Sequence, residues 1–242
     1  MSLSKNQLKL ITSLQQKKYR QKYNLFVAEG TKVVKEFLNS NFEVDQLFCV
    51  DGSEYSNVGT ISLISENDLK KISTLKSPNN VVGLFKIPES LPVEDAGLIV
   101  VLDEINDPGN LGTIIRLCDW FGVTQLICSN NTVDCYNSKV VQASMGSLKR
   151  VSISYLNIEL FLKNTKLPKY GTLMDGENVY NSTLPQNAIL VMGNEANGIS
   201  APVLNLVDSF ISIPRFGNLQ QTESLNVANA TAILLSEFKR TI

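Results

Sequence analysis

Histidine is missing from this 242-residue chain, which excludes a Ser-His-Asp triad and any imidazole acid or base. Proton handling therefore falls to Arg, Lys, Glu, Asp, Tyr, Cys or a substrate. The cysteines Cys49, Cys118, Cys128 and Cys135 lie far apart with no Cys-x-x-Cys pair, so no structural zinc or other metal is expected. Cys118 and Cys128 read as small core residues on a helix and a strand. Long apolar runs are also lacking: nothing approaches the roughly 18–20 residues that span a bilayer. The opening MSLSKNQLKLITSLQQKK is polar and amphipathic rather than a secretory signal, so the expectation is a cytoplasmic chain with no membrane partner.

Two nucleotide-binding fingerprints are absent as well. Neither glycine-rich turn forms the G-x-G-x-x-G of a dinucleotide fold, which disfavours a nicotinamide-dependent oxidoreductase. The spacing G-N-E-A-N-G at 193–198 is followed by Ile199 and Ser200 where a phosphate loop needs Lys and Ser or Thr, so a nucleotide triphosphatase is disfavoured too.

Net charge is only −1, yet it is unevenly spread. Lys5, Lys9, Lys17, Lys18, Arg20 and Lys22 precede the first acidic residue, Glu29. That local excess attracts phosphate, which makes Lys17, Lys18, Arg20 and Lys22 candidate RNA contacts; a solvated helix face is the alternative.

With 43% hydrophobic and 19% charged residues, the length suffices for one large or two small cores. Residues 1–90 alternate short helices and strands and predict a small α/β unit, with a helix over 31–39 and another opened by the capping-box pattern Ser65-x-x-Asp68. PESLPVEDAG at 88–97 reads as a linker. From residue 98 onward, apolar strands such as LIVVL, QLIC and AILVM alternate with helices expected near 110–121, 139–146, 158–163, 203 and 223–240. Continuous apolar strands separated by helices predict a parallel sheet covered on both faces, in a second α/β domain over 98–242.

Candidate site residues lie in the turns after those strands, where α/β proteins assemble ligands. Asp107-Pro108-Gly109-Asn110 opens a helix that carries Arg116 among apolar residues; Asn110 can act as a helix cap, and Arg116 must face a partner or solvent. Glu195 follows AILVM, with a surface carboxylate as the plain alternative. Ile213 and Leu225 suit an adenine sandwich, while Ser224 and Asn226 stand at a helix start, where capping alone could account for Ser224.

Taken in order, LDEINDPGNLGTIIRLCDWFG (102–122), AILVMGNEANGIS (188–200) and ISIPRFGNLQQTESLN (211–226) resemble motifs 1, 2 and 3 of the SpoU/TrmH family, which transfers methyl from S-adenosylmethionine to a ribose 2′-hydroxyl of RNA. The resemblance implies a parallel-sheet domain with a C-terminal trefoil knot over 98–242. It also implies an L30e-like substrate-binding domain over 1–90, carried by QKKYRQKYNLFVAEGTKVVKEFL. It implies a catalytic set of Asn110, Arg116, Glu195, Ser224 and Asn226, and cofactor contacts at Met174, Gly193, Asn194, Gly198, Ile213, Pro214 and Leu225. It further implies a homodimer in which Arg116 completes the partner's pocket, and a ribosomal or transfer RNA target. Because guanidinium stays protonated, Arg116 suits charge stabilisation better than proton removal. Two departures stand out: Gln142 replaces the family's usual arginine, and the loop between Pro214 and Ser224 is long, adding Gln220, Gln221 and Thr222. A catalytically silent RNA-binding protein on the same fold is the rival reading.

Overall fold

A computed structural model describes residues 3–217 and 224–240. The chain divides into two compact units, Met1–Glu89 with Asp134–Lys149, and Ser90–Val133 with Arg150–Ile242.

The first unit opens with α1 (Lys5–Ser13) and α2 (Lys17–Tyr23). Ser4 and Gln7 close a reciprocal capping box on α1, while a left-handed Asn24 stops α2. Then follow β1 (Leu25–Glu29), α3 (Thr31–Leu38), β2 (Val44–Cys49), β3 (Ile61–Leu63), α4 (Glu66–Ile72) and β4 (Val81–Lys86). The sheet runs in the order β1-β4-β2-β3, with only β2 and β3 parallel. Strand alternation sends Leu25 and Val27 to a core with Ile11, Leu14, Leu69 and Leu84, and sends Phe26 to the other face. There Phe26 meets Phe37, Phe42 and Phe85 at ring-centroid separations of 5.2–5.8 Å, and Tyr136 at 4.9 Å.

Tyr136 belongs to the later segment 134–149, which folds with this unit although both its flanks belong to the other. Ser138 Oγ donates to Gln15, and Lys149 pairs with Glu36 at 2.9 Å. Arg20 donates through Nε to Asp134 at 2.8 Å and through Nη1 to the Leu14 carbonyl, and is 3% exposed. Arg20 is therefore no RNA contact: its charge is consumed in a buried ion pair. Lys17, Lys18 and Lys22 remain exposed on α2.

The second unit holds β5 (Leu98–Leu102), α5 (Pro108–Trp120) and β6 (Gln125–Ser129). After α6 (Ser138–Ser144) in the first unit, it continues with β7 (Ser152–Leu156), α7 (Ile158–Asn164), β8 (Lys169–Asn178), β9 (Ala188–Met192), α8 (Ala201–Leu204), β10 (Ser209–Ser212) and α9 (Val227–Lys239). The six strands are all parallel in the order β10-β8-β9-β5-β6-β7. Both β5 and β9 are buried throughout, as expected of strands covered on two faces. One face packs Ile99, Val101 and Val191 against Ile158 and Leu162 of α7 and Val203 of α8. Helices α5 and α9 pack on each other. The expected start of the last helix at Glu223 lies outside the described residues, as do Gln220, Gln221 and Thr222.

Candidate active site

Because β10, β8, β9 and β5 are adjacent and parallel, the turns leaving them emerge along one edge of the sheet. The turn after β5 is fastened first. Buried Asp103 accepts from the Ser200 amide at 2.8 Å, and its own amide donates to the Met192 carbonyl. Glu104 adopts φ 59°, a left-handed conformation that costs a residue with a Cβ about 1 kcal/mol. It is held there by its amide donating to Ser129 Oγ at 2.9 Å, its carbonyl accepting from Asn194 Nδ2 at 2.6 Å and its carboxylate accepting from Asn131 Nδ2 at 2.6 Å.

The cap of α5 is Asp107 rather than Asn110: Asp107 Oδ1 accepts from the Asn110 amide at 2.8 Å, and Pro108 fills the first turn, where an amide proton is not needed. This leaves the Asn110 side chain for tertiary contacts. Its Nδ2 donates to Glu195 Oε1 at 2.6 Å, and its Oδ1 accepts from Asn226 Nδ2 at 2.9 Å. Asn226 in turn caps α9, its Oδ1 accepting from the amides of Ala228 and Asn229. One side chain from each of three separate turns thus joins a single hydrogen-bonded chain, Glu195–Asn110–Asn226. Ser224, two residues before the cap, is exposed and does not cap the helix.

The turn after β9 closes on itself. Asn194 and Gly198 exchange backbone hydrogen bonds of 2.9 Å, and Asn194 Oδ1 accepts from the amides of Ala196 and Asn197. A Cβ on Gly193 would stand 2.2 Å from the Gly198 backbone, so the crossing of its own loop requires glycine there.

Beside it, β8 departs from β10 between Gly171 and Glu177, while β10 advances one residue from Phe210 to Ile211. Gly176 permits this crossing, since a Cβ there would meet the Ile211 backbone at 2.7 Å. The displaced segment carries Leu173 and Met174 outward, and Arg215 Nη2 reaches the Met174 sulfur at 3.4 Å. Ile213 and Pro214 are half-buried just before it. Met174, Phe216 and Leu225 are 61%, 81% and 49% exposed.

Arg116 is exposed on α5 and has no hydrogen bond or ion pair among the described residues. Spaced three and four apart, Gly109, Thr113, Arg116 and Trp120 share one stripe of that helix, and Trp120 is 83% exposed. Among the described residues no group of three or more His, Cys, Asp or Glu side chains is placed to hold a metal ion, and no helix is long and apolar enough to cross a membrane.

Residues 97–236 match the model of the SpoU rRNA methylase family. This chain belongs to that family. Residues 5–83 match the MRM3-like substrate-binding domain. A SpoU relative from Bacillus subtilis, the 23S rRNA (guanosine(2553)-2′-O)-methyltransferase RlmP, is 31% identical over 92% of this chain and 91% of its own. A TrmH-family structure from Porphyromonas gingivalis covers both chains fully at 37% identity and TM-score 0.91. An rRNA methyltransferase from Sinorhizobium meliloti, solved with S-adenosylmethionine bound, covers 100% of this chain and 97% of its own at 29% identity and TM-score 0.89.

Against this family background, Asp103, Glu104, Asn131, Gly176 and Arg215 are the residues that sequence reasoning missed. Asp103 and Glu104 sit inside the first motif, but only coordinates reveal that one braces Ser200 and the other Asn194.

Proposed function

We propose that this chain is a cytoplasmic S-adenosylmethionine-dependent methyltransferase that modifies a ribose 2′-hydroxyl of RNA, works as a homodimer and needs no metal. The observation that carries the reading is the Glu195–Asn110–Asn226 chain, which locks the turns of three motifs into one arrangement at the edge of the sheet. Ribosomal RNA is the favoured substrate because RlmP, which matches 92% of this chain, is named for 23S rRNA.

The cofactor's place is the apolar surface of Met174, Ile213, Pro214 and Leu225 together with the 193–198 turn, whose backbone offers polar groups. Bound there, it would supply an electrophilic sulfonium methyl to the ribose oxygen, the C–O bond forming as the C–S bond broke to leave S-adenosylhomocysteine, with the hydroxyl proton passing to a phosphate oxygen of the RNA or to water. Asn110 and Asn226 carry amides that do not titrate, so their part is positioning. Arg116 stabilises negative charge as the ribose oxygen attacks. Its exposure, with that of Trp120 on the same stripe, supports a dimer in which this face of α5 meets a second copy. The C-terminal trefoil knot is part of the proposal, supported by α9 returning to pack on α5.

Calorimetry with S-adenosylmethionine, paired with transfer of a labelled methyl to unmodified ribosomal RNA, tests the reading. Heat and labelled RNA are expected. Absence of both would make the chain a silent RNA-binding protein on an inherited fold.

A further inference from the structure

On α2, residues four apart stand one above another, so Tyr19 and Tyr23 form one row and Lys18 and Lys22 the row beside it. The tyrosine rings lie nearly parallel, 14° between planes and 6.3 Å between centroids. Lys18 Nζ sits over the face of the Tyr19 ring, 4.9 Å from its centroid, and Lys22 Nζ over that of Tyr23 at 5.4 Å. Arg20 turns away into the core, and from residue 3 to residue 28 there is no carboxylate to neutralise the lysines. Tyr23 keeps 43% of its surface in water.

We infer that this face of α2 is a stacking platform for unpaired bases of RNA, the tyrosines receiving base faces and the lysines the phosphates between them. The inference rests on the RNA-modifying reading above and narrows it to the strand state of the substrate. Lysines alone would accept any polyanion. An aromatic row adds a preference, because a duplex hides its base faces by stacking them on one another, whereas single strands and loops offer them to aromatic side chains. A base that stacks displaces the lysine lying over that ring, which leaves the ammonium beside the stacked nucleotide, where its phosphate must lie.

The test compares the full-length protein binding a labelled mixed-sequence single-stranded RNA and a blunt RNA duplex of equal length at one fixed salt concentration. Tyr23→Ala and Tyr23→Leu should each weaken single-strand binding about ten-fold, the loss of one base stack, and leave duplex binding unchanged. Tyr23→Phe, which keeps the ring, should bind as wild type. Undiminished single-strand affinity in Tyr23→Ala, equal losses on both RNAs, or a Phe variant as weak as the Leu variant would each overturn the inference. S-adenosylmethionine affinity in the same preparations reports an intact fold; if Tyr23→Ala lowers it, the Phe and Leu variants decide. A wild-type protein that binds single strands through Tyr23 yet transfers no methyl would sink the methyltransferase reading and spare this one. Methyl transfer by a Tyr23→Ala variant with unaltered RNA affinity would do the reverse.

Discussion

In the unit built on β5–β10, polar residues at the sheet edge bond to one another across long stretches of chain, Asn110 to Glu195 over 85 positions and to Asn226 over 116. In the other unit the cations of α2 part company: Arg20 turns inward to Asp134, while Lys17, Lys18 and Lys22 stay at the surface. The contrast separates two uses of polarity. A hydrogen-bonded chain between loops fixes geometry and fails when one member is removed. A surface charge acts through its field, is screened by salt and can be removed piecemeal. Arg20 shows that a basic residue in a basic stretch can belong to the first class.

The comparison breaks most visibly at Arg20. Arg20→Ala leaves Asp134 without its cation and should lower stability by about 3–5 kcal/mol, read as a reduced midpoint in urea. Replacing Lys17, Lys18 and Lys22 together should leave that midpoint where it is. Arg116→Ala should reduce methyl transfer by about a hundred- to a thousand-fold, with folding and S-adenosylmethionine affinity retained, because the side chain has no polar partner among the described residues. Normal turnover in this variant would remove Arg116 from the reaction. Asn110→Ala should cost about ten-fold in kcat through the missing bond to Glu195, with a smaller change in KM, since Asp107 still caps the helix.

Smaller still, the triple lysine variant should flatten the dependence of RNA affinity on salt, by a slope of about 0.7 for each single-strand phosphate that the lysines no longer neutralise. The least effect is expected at the thiols. Burial pushes Cys118 up to about 12, and burial likewise raises Cys49, so both stay protonated. Iodoacetamide at about pH 8 should label neither until the chain unfolds.

Apolar patterning made the second unit legible, because buried parallel strands leave unbroken runs such as LIVVL and AILVM, and helix limits at 31–39, 110–121 and 158–163 fall within two residues of Thr31–Leu38, Pro108–Trp120 and Ile158–Asn164. The turns after those strands marked the candidate residues for the same reason. Tertiary choices were not legible. A helical segment such as SKVVQAS carries no sign that it packs on β1, more than a hundred residues earlier in the chain, and Arg20 differs from Lys22 only once Asp134 is in place. Nor does spacing say which residue of Asp107-Pro108-Gly109-Asn110 caps the helix, since both Asp and Asn can; the cap went to Asp107 and freed Asn110 for Glu195. Gly176 is required by a backbone crossing with the distant strand β10, which leaves no local pattern.

The central claim is that the labelled methyl arrives on a ribose oxygen. A 2′-O-methyl removes the nucleophile that alkali needs to cleave the adjoining phosphodiester, so alkaline hydrolysis of RNA methylated by the wild-type protein should leave the label in dinucleotides. Label released in mononucleotides, the mark of a methylated base, or RNA that carries no label at all, would contradict the account.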